Sequence, residues 1–329
     1  MNPRIVKWTK YEFCTFWLFY GLLTPWYIYK IFTAGAPAYF CSANPGIKWG
    51  GFMNYSKINL LNQIGDAYKP KTKFYPKATI NDVPFGFPFI VKPDVGERGI
   101  GVELIQNKAE WRNYLNHLST DLIIQEYNQF PLEFGAFYVR LPKEEKGQLI
   151  SMTGKDFLQF TGDGRSTVKH LIDTNLRATF RKDYLYQKFQ SQLDFILPDG
   201  QTLLVEPIGN HNRGTTFLDA TDLISEKLTY TIDEIAKGIE GFYYGRFDLK
   251  AKSIEDLQNG NFVILEVNGA NSEATHVYDP KHHLIFAYKE VIKHLDYQHQ
   301  IAKQNHELGV KYTDWRLLAR EIIQRFLKK

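Results

Sequence analysis

The chain has 329 residues, 44% hydrophobic and 23% charged. That is enough for two or three packed units of ordinary globular composition, not a disordered, collagenous or repetitive chain. A formal net charge of +4 is too small to point to nucleic acid, and no nucleic-acid partner is expected. Two cysteines, Cys14 and Cys41, cannot build a disulfide framework. The expected location is therefore the cytoplasm, including peripheral attachment at the inner membrane face.

The first predicted unit covers about residues 1–70 and reads as aromatic-rich and helical. Phe13 to Tyr29 carries no charge, and Arg4, Lys7 and Lys10 precede it, as basic residues do in a secretory signal. Gly21 and Pro25 interrupt the run, and a spanning helix wants about 20 apolar residues. Three readings stay open: helices buried in the protein, a segment lying in a membrane surface, and a signal or spanning segment. Phe13, Phe16, Trp17, Phe19, Tyr20, Trp26, Tyr27 and Tyr29 would make such a helix apolar on every side. Trp and Tyr also settle at headgroup depth, so peripheral membrane association through residues 11–40 is an expectation. The Gly-rich turn at Asn44-Pro45-Gly46 and Gly50-Gly51, with Ser56 and Lys57, is expected to bind the polar end of an amphiphilic substrate.

Tyr68 to Lys77 is basic and proline-containing and reads as a linker. A smaller unit is predicted over 71–133, with a strand at Phe89–Lys92, a Gly-rich loop, a helix over Lys108–Leu118 and a strand at Leu122–Gln125. A larger unit is predicted over 134–300. Its strands fall at Gly135–Leu141, Leu149–Thr153, Leu203–Pro207, Phe242–Leu249 and Phe262–Val267, with a helix at about Leu223–Ile239. Residues 301–329 read as a C-terminal helix in which Trp315, Leu318, Ile322 and Phe326 recur at helical spacing, a stripe expected to pack in the core. The fold class is α+β.

Two segments carry chemistry. In Phe89-Ile90-Val91-Lys92 a lysine ends an apolar strand, where burial is costly unless it meets negative charge. Gly96, Gly99 and Gly101 follow, and glycine lets backbone N–H groups wrap an anion. A cation beside an amide cradle suits a triphosphate, although the spacing is neither a Walker A loop nor a dinucleotide fingerprint. The second segment pairs Arg246-Phe247-Asp248 with Glu266-Val267-Asn268. Strand side chains alternate, so each pair shares a face. If the strands are neighbours, Asp248, Glu266 and Asn268 converge as hard oxygen ligands suited to Mg2+, with Arg246 beside them to stabilise a transferring phosphoryl group.

In this order the residues resemble the ATP-grasp superfamily, within it the D-alanine–D-alanine ligases, the ribosomal-protein glutamate ligases and the ATP-grasp part of cyanophycin synthetase. The resemblance covers about residues 75–295. It implies two α+β subdomains clamping ATP, preceded here by an atypical aromatic-rich helical unit instead of a Rossmann-like domain. It implies that Lys92 touches the phosphates and that Gly96, Arg98, Gly99 and Gly101 close over them. Gln125, Glu126 and Tyr127 would meet adenine, and Glu133 the ribose, with adenine between the 88–93 and 123–127 strands. Asp248, Glu266 and Asn268 would hold two Mg2+ ions, with Mn2+ as a substitute, and Arg246 would act with Lys92 in catalysis. An earlier lysine on the adenine side is matched by Lys73 or Lys77 without a choice between them. Asn210, His211, Asn212 and Arg213 resemble a stretch near the acyl acceptor, and Asn271 and Ser272 join them as substrate candidates. Gly162 to Thr167 resembles a cyanophycin synthetase segment.

The implied activity is ATP-dependent joining of a carboxylate to an amine, or to a thiol, through an acyl phosphate. The substrates would be small-molecule or lipid-linked. The alternatives are an ATP-grasp phosphotransferase and a nucleotide-binding scaffold without turnover.

Overall fold

The computed structural model of the protein describes residues 10–14, 16–77, 85–96, 99–117 and 120–327, together with all side chains of these except Phe16 and Phe326. Arg98 and Leu118 lie outside the described residues.

Strands β1 (Thr72–Tyr75), β2 (Phe89–Pro93), β3 (Glu103–Ile105) and β4 (Leu122–Glu126) form an antiparallel sheet in the order β1-β4-β2-β3. Phe89 and Val91 share the face that packs with Ile105, Trp111, Leu122 and Ile124. Period two then turns Lys92 to the opposite face. The helix Lys108–Asn116 supplies Trp111 and begins at Asn107, whose side chain accepts from the Ala109 and Glu110 amides at 3.0 Å, satisfying two donors of the first turn.

β1 falls inside the stretch expected to be a linker. Its polar residues gave no apolar run, yet they pair along the edge of β4 from Thr72↔Gln125 to Tyr75↔Leu122. An unpaired sheet edge recruits any extended segment that reaches it.

The second sheet holds β5 (Leu132–Val139) and β6 (Gln148–Asp156). After the short pair β7 (Gln159–Thr161) and β8 (Thr202–Leu204) come β9 (Thr216–Asp219), β10 (Tyr244–Ala251) and β11 (Val263–Asn268). The order is β11-β10-β5-β6-β9 and every pairing is antiparallel. β8 ends at Leu204, before the Pro207 that the sequence reading included. The helix Glu226–Lys237 covers one face of this sheet. Ser225 caps it, and Leu228, Ile232 and Ala236 recur at four-residue spacing into a core with Phe242, Phe247, Leu249 and Ile264. The fold is α+β, with a helical N-terminal unit.

That N-terminal unit packs on the body. Phe19 and Leu23, from the helices Phe16–Gly21 and just before Thr24–Ala34, join Ala287, Val291 and Leu295 of the long helix Leu284–Glu307. Tyr20 Oη donates to Glu273 at 3.1 Å and Trp26 Nε1 to Asp296 at 3.2 Å. The expectation of a segment apolar on every side and short of partners is therefore corrected, because the long helix supplies them. Exposure is confined to an outer face, where Trp17 is 82%, Leu22 70% and Phe32 80% exposed. Among the described residues no helix is long and apolar enough to cross a membrane.

The Gly-rich turn is also corrected. Asn44 is fully buried, its side chain donating to the carbonyls of Gly50 and Tyr244 and accepting from the Tyr243 and Tyr244 amides. A Cβ on Gly51, whose φ is +78°, would sit 2.7 Å from Gly269 Cα. This turn welds the N-terminal unit to the end of β11, and it commits the Asn44 side chain to backbone groups instead of a substrate. At the C-terminus, Leu318 of the helix Trp315–Leu327 packs with Ala38, Cys41 and Met53, while Trp315 stays half exposed.

Candidate active site

β10 and β11 pair with Arg246 opposite Asn268 and Asp248 opposite Glu266, and a bulge follows Asp248. Alternation within each strand and this register put all four side chains on one face. Arg246 grips Asp248 with two bonds, Nε to Oδ1 at 2.8 Å and Nη2 to Oδ2 at 3.2 Å. Asn268 Nδ2 donates to Asp248 Oδ2 at 3.3 Å, and Tyr55 Oη donates to Asn268 Oδ1 at 3.2 Å. Gly135 lies opposite Asp248 on β5, and a Cβ there would come within 2.9 Å of Arg246 Cδ. Glycine makes the room for this fork.

Lys92 reaches the same volume from the other sheet. Its ammonium donates to the Leu265 carbonyl at 2.8 Å and to Gln125 Oε1 at 3.2 Å. Burial pushes its pKa down to about 8, against the pull of Glu266, and Lys57 adds to the depression. Among the described residues this buried ammonium is hydrogen-bonded only by neutral oxygens, which leaves it short of an anion.

Two more cationic groups stand here: Lys155, which sequence reasoning missed, and Lys57, which it named only for the polar end of a substrate. Lys155, on β6, is buried between Glu133 Oε1 at 2.8 Å and Asp248 Oδ1 at 3.7 Å. Burial opposes its charge, but Asp248 and Glu133 outweigh burial and hold its pKa above the usual lysine value. Burial likewise opposes ionisation of Asp248, and Arg246 and then Lys155 reverse it, leaving the carboxyl below its usual range. The signal for Lys155 was the one used for Lys92, a lysine ending an apolar strand, but the predicted strand stopped at Thr153. Lys57 comes from the N-terminal unit, 3.6 Å from Glu266 Oε1 and bonded to the Gly96 carbonyl. Its proximity to β11 left no trace in sequence.

The glycine loop is held at both ends. Gly96 meets Lys57, and Arg213 Nη2 donates to the carbonyls of Gly99 at 3.1 Å and Val102 at 2.8 Å. Gly99 and Gly101 have φ of +69° and +72°, values that favour glycine.

Gln125 is buried, its amide donating to Thr72 Oγ1 at 3.0 Å. Glu126 is exposed, and Tyr127 lies under the Lys250 ammonium at 5.5 Å. β2 and β4 are directly paired, Phe89 opposite Glu126. The expected slot for adenine between these strands therefore does not exist, and a base would have to lie over the sheet's face. Glu133 is committed to Lys155 through Oε1, so a ribose role would be shared with that pair. Lys73 is exposed, its ammonium 5.7 Å from the Phe85 ring, and the Lys77 side chain is also exposed.

Asn210 caps a single turn formed by His211–Arg213, its Oδ1 accepting from the Asn212 amide at 2.8 Å. His211 meets Glu12 at 3.3 Å, Asn212 is exposed, and Arg213 pairs with the buried Glu206. A cavity of ≈ 220 Å³ opens beside His211 and Asn212, lined also by Arg177 and Arg181. Asn271 is partly exposed, and Ser272 Oγ donates to the carbonyls of Asn268 and Gly269. Gly162 to Thr167 is a surface turn in which Asp163 accepts from the Arg165 and Ser166 amides.

These residues suit a metal–triphosphate. Two carboxylates and an amide oxygen are hard donors of the kind Mg2+ takes. Presenting Asn268 Oδ1 to the metal side requires a half-turn of the amide, which Tyr55 accommodates because a hydroxyl accepts as well as donates. Four cationic groups, Lys57, Lys92, Lys155 and Arg246, face three carboxylates, Glu133, Asp248 and Glu266.

A family model described as a RimK-like ATP-grasp domain matches residues 69–133. Cyanophycin synthetase from Synechocystis sp. is 26% identical over 218 residues, 60% of this chain but only 24% of the relative. The chain thus spans about a quarter of the length of that curated relative. Among solved structures, a D-alanine–D-alanine ligase from Bacillus anthracis superposes with a TM-score of 0.41 at 14% identity, over 77% of this chain and 67% of that one. A bifunctional glutathione synthetase from Pasteurella multocida gives 0.39 at 16%, over 72% and 36%. At such scores the superpositions carry no weight. Together the RimK-like match and the cyanophycin synthetase alignment support membership of this chain in the ATP-grasp superfamily.

Proposed function

We propose that the chain is an ATP- and Mg2+-dependent ligase joining a carboxylate to an amine through an acyl phosphate, with release of ADP and phosphate. The observation that carries this reading is the register of β10 and β11, which sets Arg246 and Asp248 against Asn268 and Glu266 beside Lys92 and Lys155.

A carboxylate is a poor electrophile at neutral pH. Taking the γ-phosphoryl group makes it one that an amine attacks, the nitrogen losing a proton and phosphate leaving. Asp248, Glu266 and Asn268 would hold Mg2+ (two ions, replaceable by Mn2+), which supplies charge neutralisation for phosphate oxygens. Lys92 and the amides around Gly96, Gly99 and Gly101 would position the phosphates. Arg246 has five N–H donors; Asp248 takes two and the Glu273 carbonyl one, leaving two for developing charge on the transferred group. The carboxylate and amine would enter past Asn210–Arg213, where the cavity beside His211 opens. The test is ADP release dependent on added amine, across amino acids, peptides and lipid-linked carboxylates. An amide product supports the ligase, whereas a stable phosphorylated product would replace it with a phosphotransferase.

The exposed outer face of the N-terminal helices, with no Asp or Glu between residues 13 and 65, supports peripheral attachment to an anionic bilayer surface. Liposome flotation tests it.

A further inference from the structure

The segment Tyr55–Ile58, at the start of the short helix Lys57–Leu61, touches both halves of the site at once. Tyr55 Oη donates to Asn268 Oδ1 at 3.2 Å. Ser56 Oγ donates to Asp94 Oδ1 at 3.1 Å, and that same oxygen accepts from the Ile58 amide at 2.9 Å. The Lys57 amide donates to the Asp94 carbonyl at 3.2 Å. Asp94 is buried and sits two residues after Lys92. The glycine loop thus leaves its strand fastened to the N-terminal unit by three bonds.

Lys57 extends this junction. Its side chain is 7% exposed, its ammonium bonds the Gly96 carbonyl, and Glu266 Oε1 lies 3.6 Å away. An ammonium has three donors, and a lysine this buried is sustained only by pairing. Among the described residues its one carboxylate partner is Glu266, a candidate ligand for the metal, and its carbonyl partner belongs to the candidate phosphate loop. Glu266, if it held a divalent cation, would no longer offer its charge to the Lys57 ammonium, which the cation would repel. Phosphate oxygens between the loop and Glu266 would then be the nearest anions for it.

We propose that Lys57 is a triphosphate-binding residue contributed by the N-terminal unit, and that it competes with the divalent cation for Glu266 when no nucleotide is bound. This rests on the ATP-site reading above. It makes the N-terminal unit part of the nucleotide site rather than an appendage to it.

Competition and phosphate binding predict effects of opposite sign, which a merely structural lysine would not give. Binding of Mn2+ alone, followed by electron paramagnetic resonance, and of Mg-ATP, followed by calorimetry, is compared in the full chain and in K57M, K57Q, K57R and E266Q. In K57M, Mg-ATP binding is expected to weaken by about tenfold or more, the worth of one charged hydrogen bond, while Mn2+ alone binds more tightly than to the parent. K57Q keeps a donor for Gly96 without the charge and is expected to follow K57M, so the test survives if K57M does not fold. K57R is expected to bind Mg-ATP within a few-fold of the parent, as its charge is kept. Mg-ATP affinity within twofold of the parent in K57M or K57Q, with E266Q impaired, overturns the Lys57 proposal alone. A parent protein that binds no Mg-ATP overturns the ATP-site reading with it.

Discussion

The two sheets each bring a buried lysine to the site, and the two lysines are in opposite electrostatic states. Lys155, on the five-stranded sheet, lies between Glu133 and Asp248 and is pushed above the usual lysine range. Lys92, on the four-stranded sheet, is held by a carbonyl and a side-chain amide and is pushed down to about 8. Burial penalises both charges; the distance to a carboxylate decides which penalty is repaid. The buried lysine of the five-stranded half is therefore paired with carboxylates of its own sheet, whereas that of the four-stranded half meets, among the described residues, only neutral oxygens.

The largest expected effect falls on the five-stranded half. Glu266→Gln should lower amine-dependent ADP release by on the order of 10²–10³-fold with an unchanged far-ultraviolet dichroism spectrum. Near-parent turnover would end the metal assignment and with it the contrast between the halves.

Exchanging each lysine for methionine sharpens the contrast in stability. Lys155→Met leaves Glu133 unpaired in the interior and should cost about 3–5 kcal/mol in urea unfolding at neutral pH. Lys92→Met removes a cation that burial disfavours and should cost far less, while Mg-ATP binding is lost. Equal stability losses would show that Lys92 is as well paired as Lys155.

The pH dependence has a definite sign. Lys92 is depressed to about 8, so it loses its proton in the folded protein as pH rises through 8. Mg-ATP affinity should then fall by up to about tenfold per pH unit, with proton uptake visible by calorimetry in buffers of different ionisation enthalpy. Lys92→Met should flatten that profile. For stability the sign is opposite: the folded pKa lies below the unfolded value of 10.5. The destabilisation is then full below pH 8 and is relieved between there and the unfolded value.

The smallest effect concerns the outer face of the N-terminal unit. Trp17→Ser with Phe32→Ser should reduce flotation with anionic liposomes several-fold, leaving Mg-ATP binding unchanged. Loss of nucleotide binding in that variant would mean that the exposed face serves the site instead. No difference in flotation would remove the membrane reading.

Much of the five-stranded half was legible in the sequence. Arg246 and Asp248, like Glu266 and Asn268, are two residues apart on apolar strands, and a period of two puts each pair on one face. Lys155 was lost because its predicted strand ended at Thr153, three residues before the strand does. β1 was invisible because Thr72–Tyr75 is only four residues long and lacks an apolar alternation, and its pairing comes from β4 and not from its own pattern. Asn44 to Gly51 looked like an open polar turn, since Asn, Pro and Gly form such turns anywhere, but its polar groups are consumed by residues about 200 positions away.

By itself the sequence determined the α+β class, the glycine loop after β2 and the two strand motifs, because these depend on contacts between neighbours or on strand alternation. Only the tertiary structure decided that Asp248 faces Glu266 across a strand pair, that Lys155 meets carboxylates while Lys92 meets, among the described residues, neutral oxygens, and that Tyr55 and Lys57 reach Asn268 and Glu266. Those outcomes turn on distances of 3–4 Å between groups far apart along the chain. Coulomb and hydrogen-bond energies at such separations depend on where the backbone places each group, and local periodicity carries no information about that.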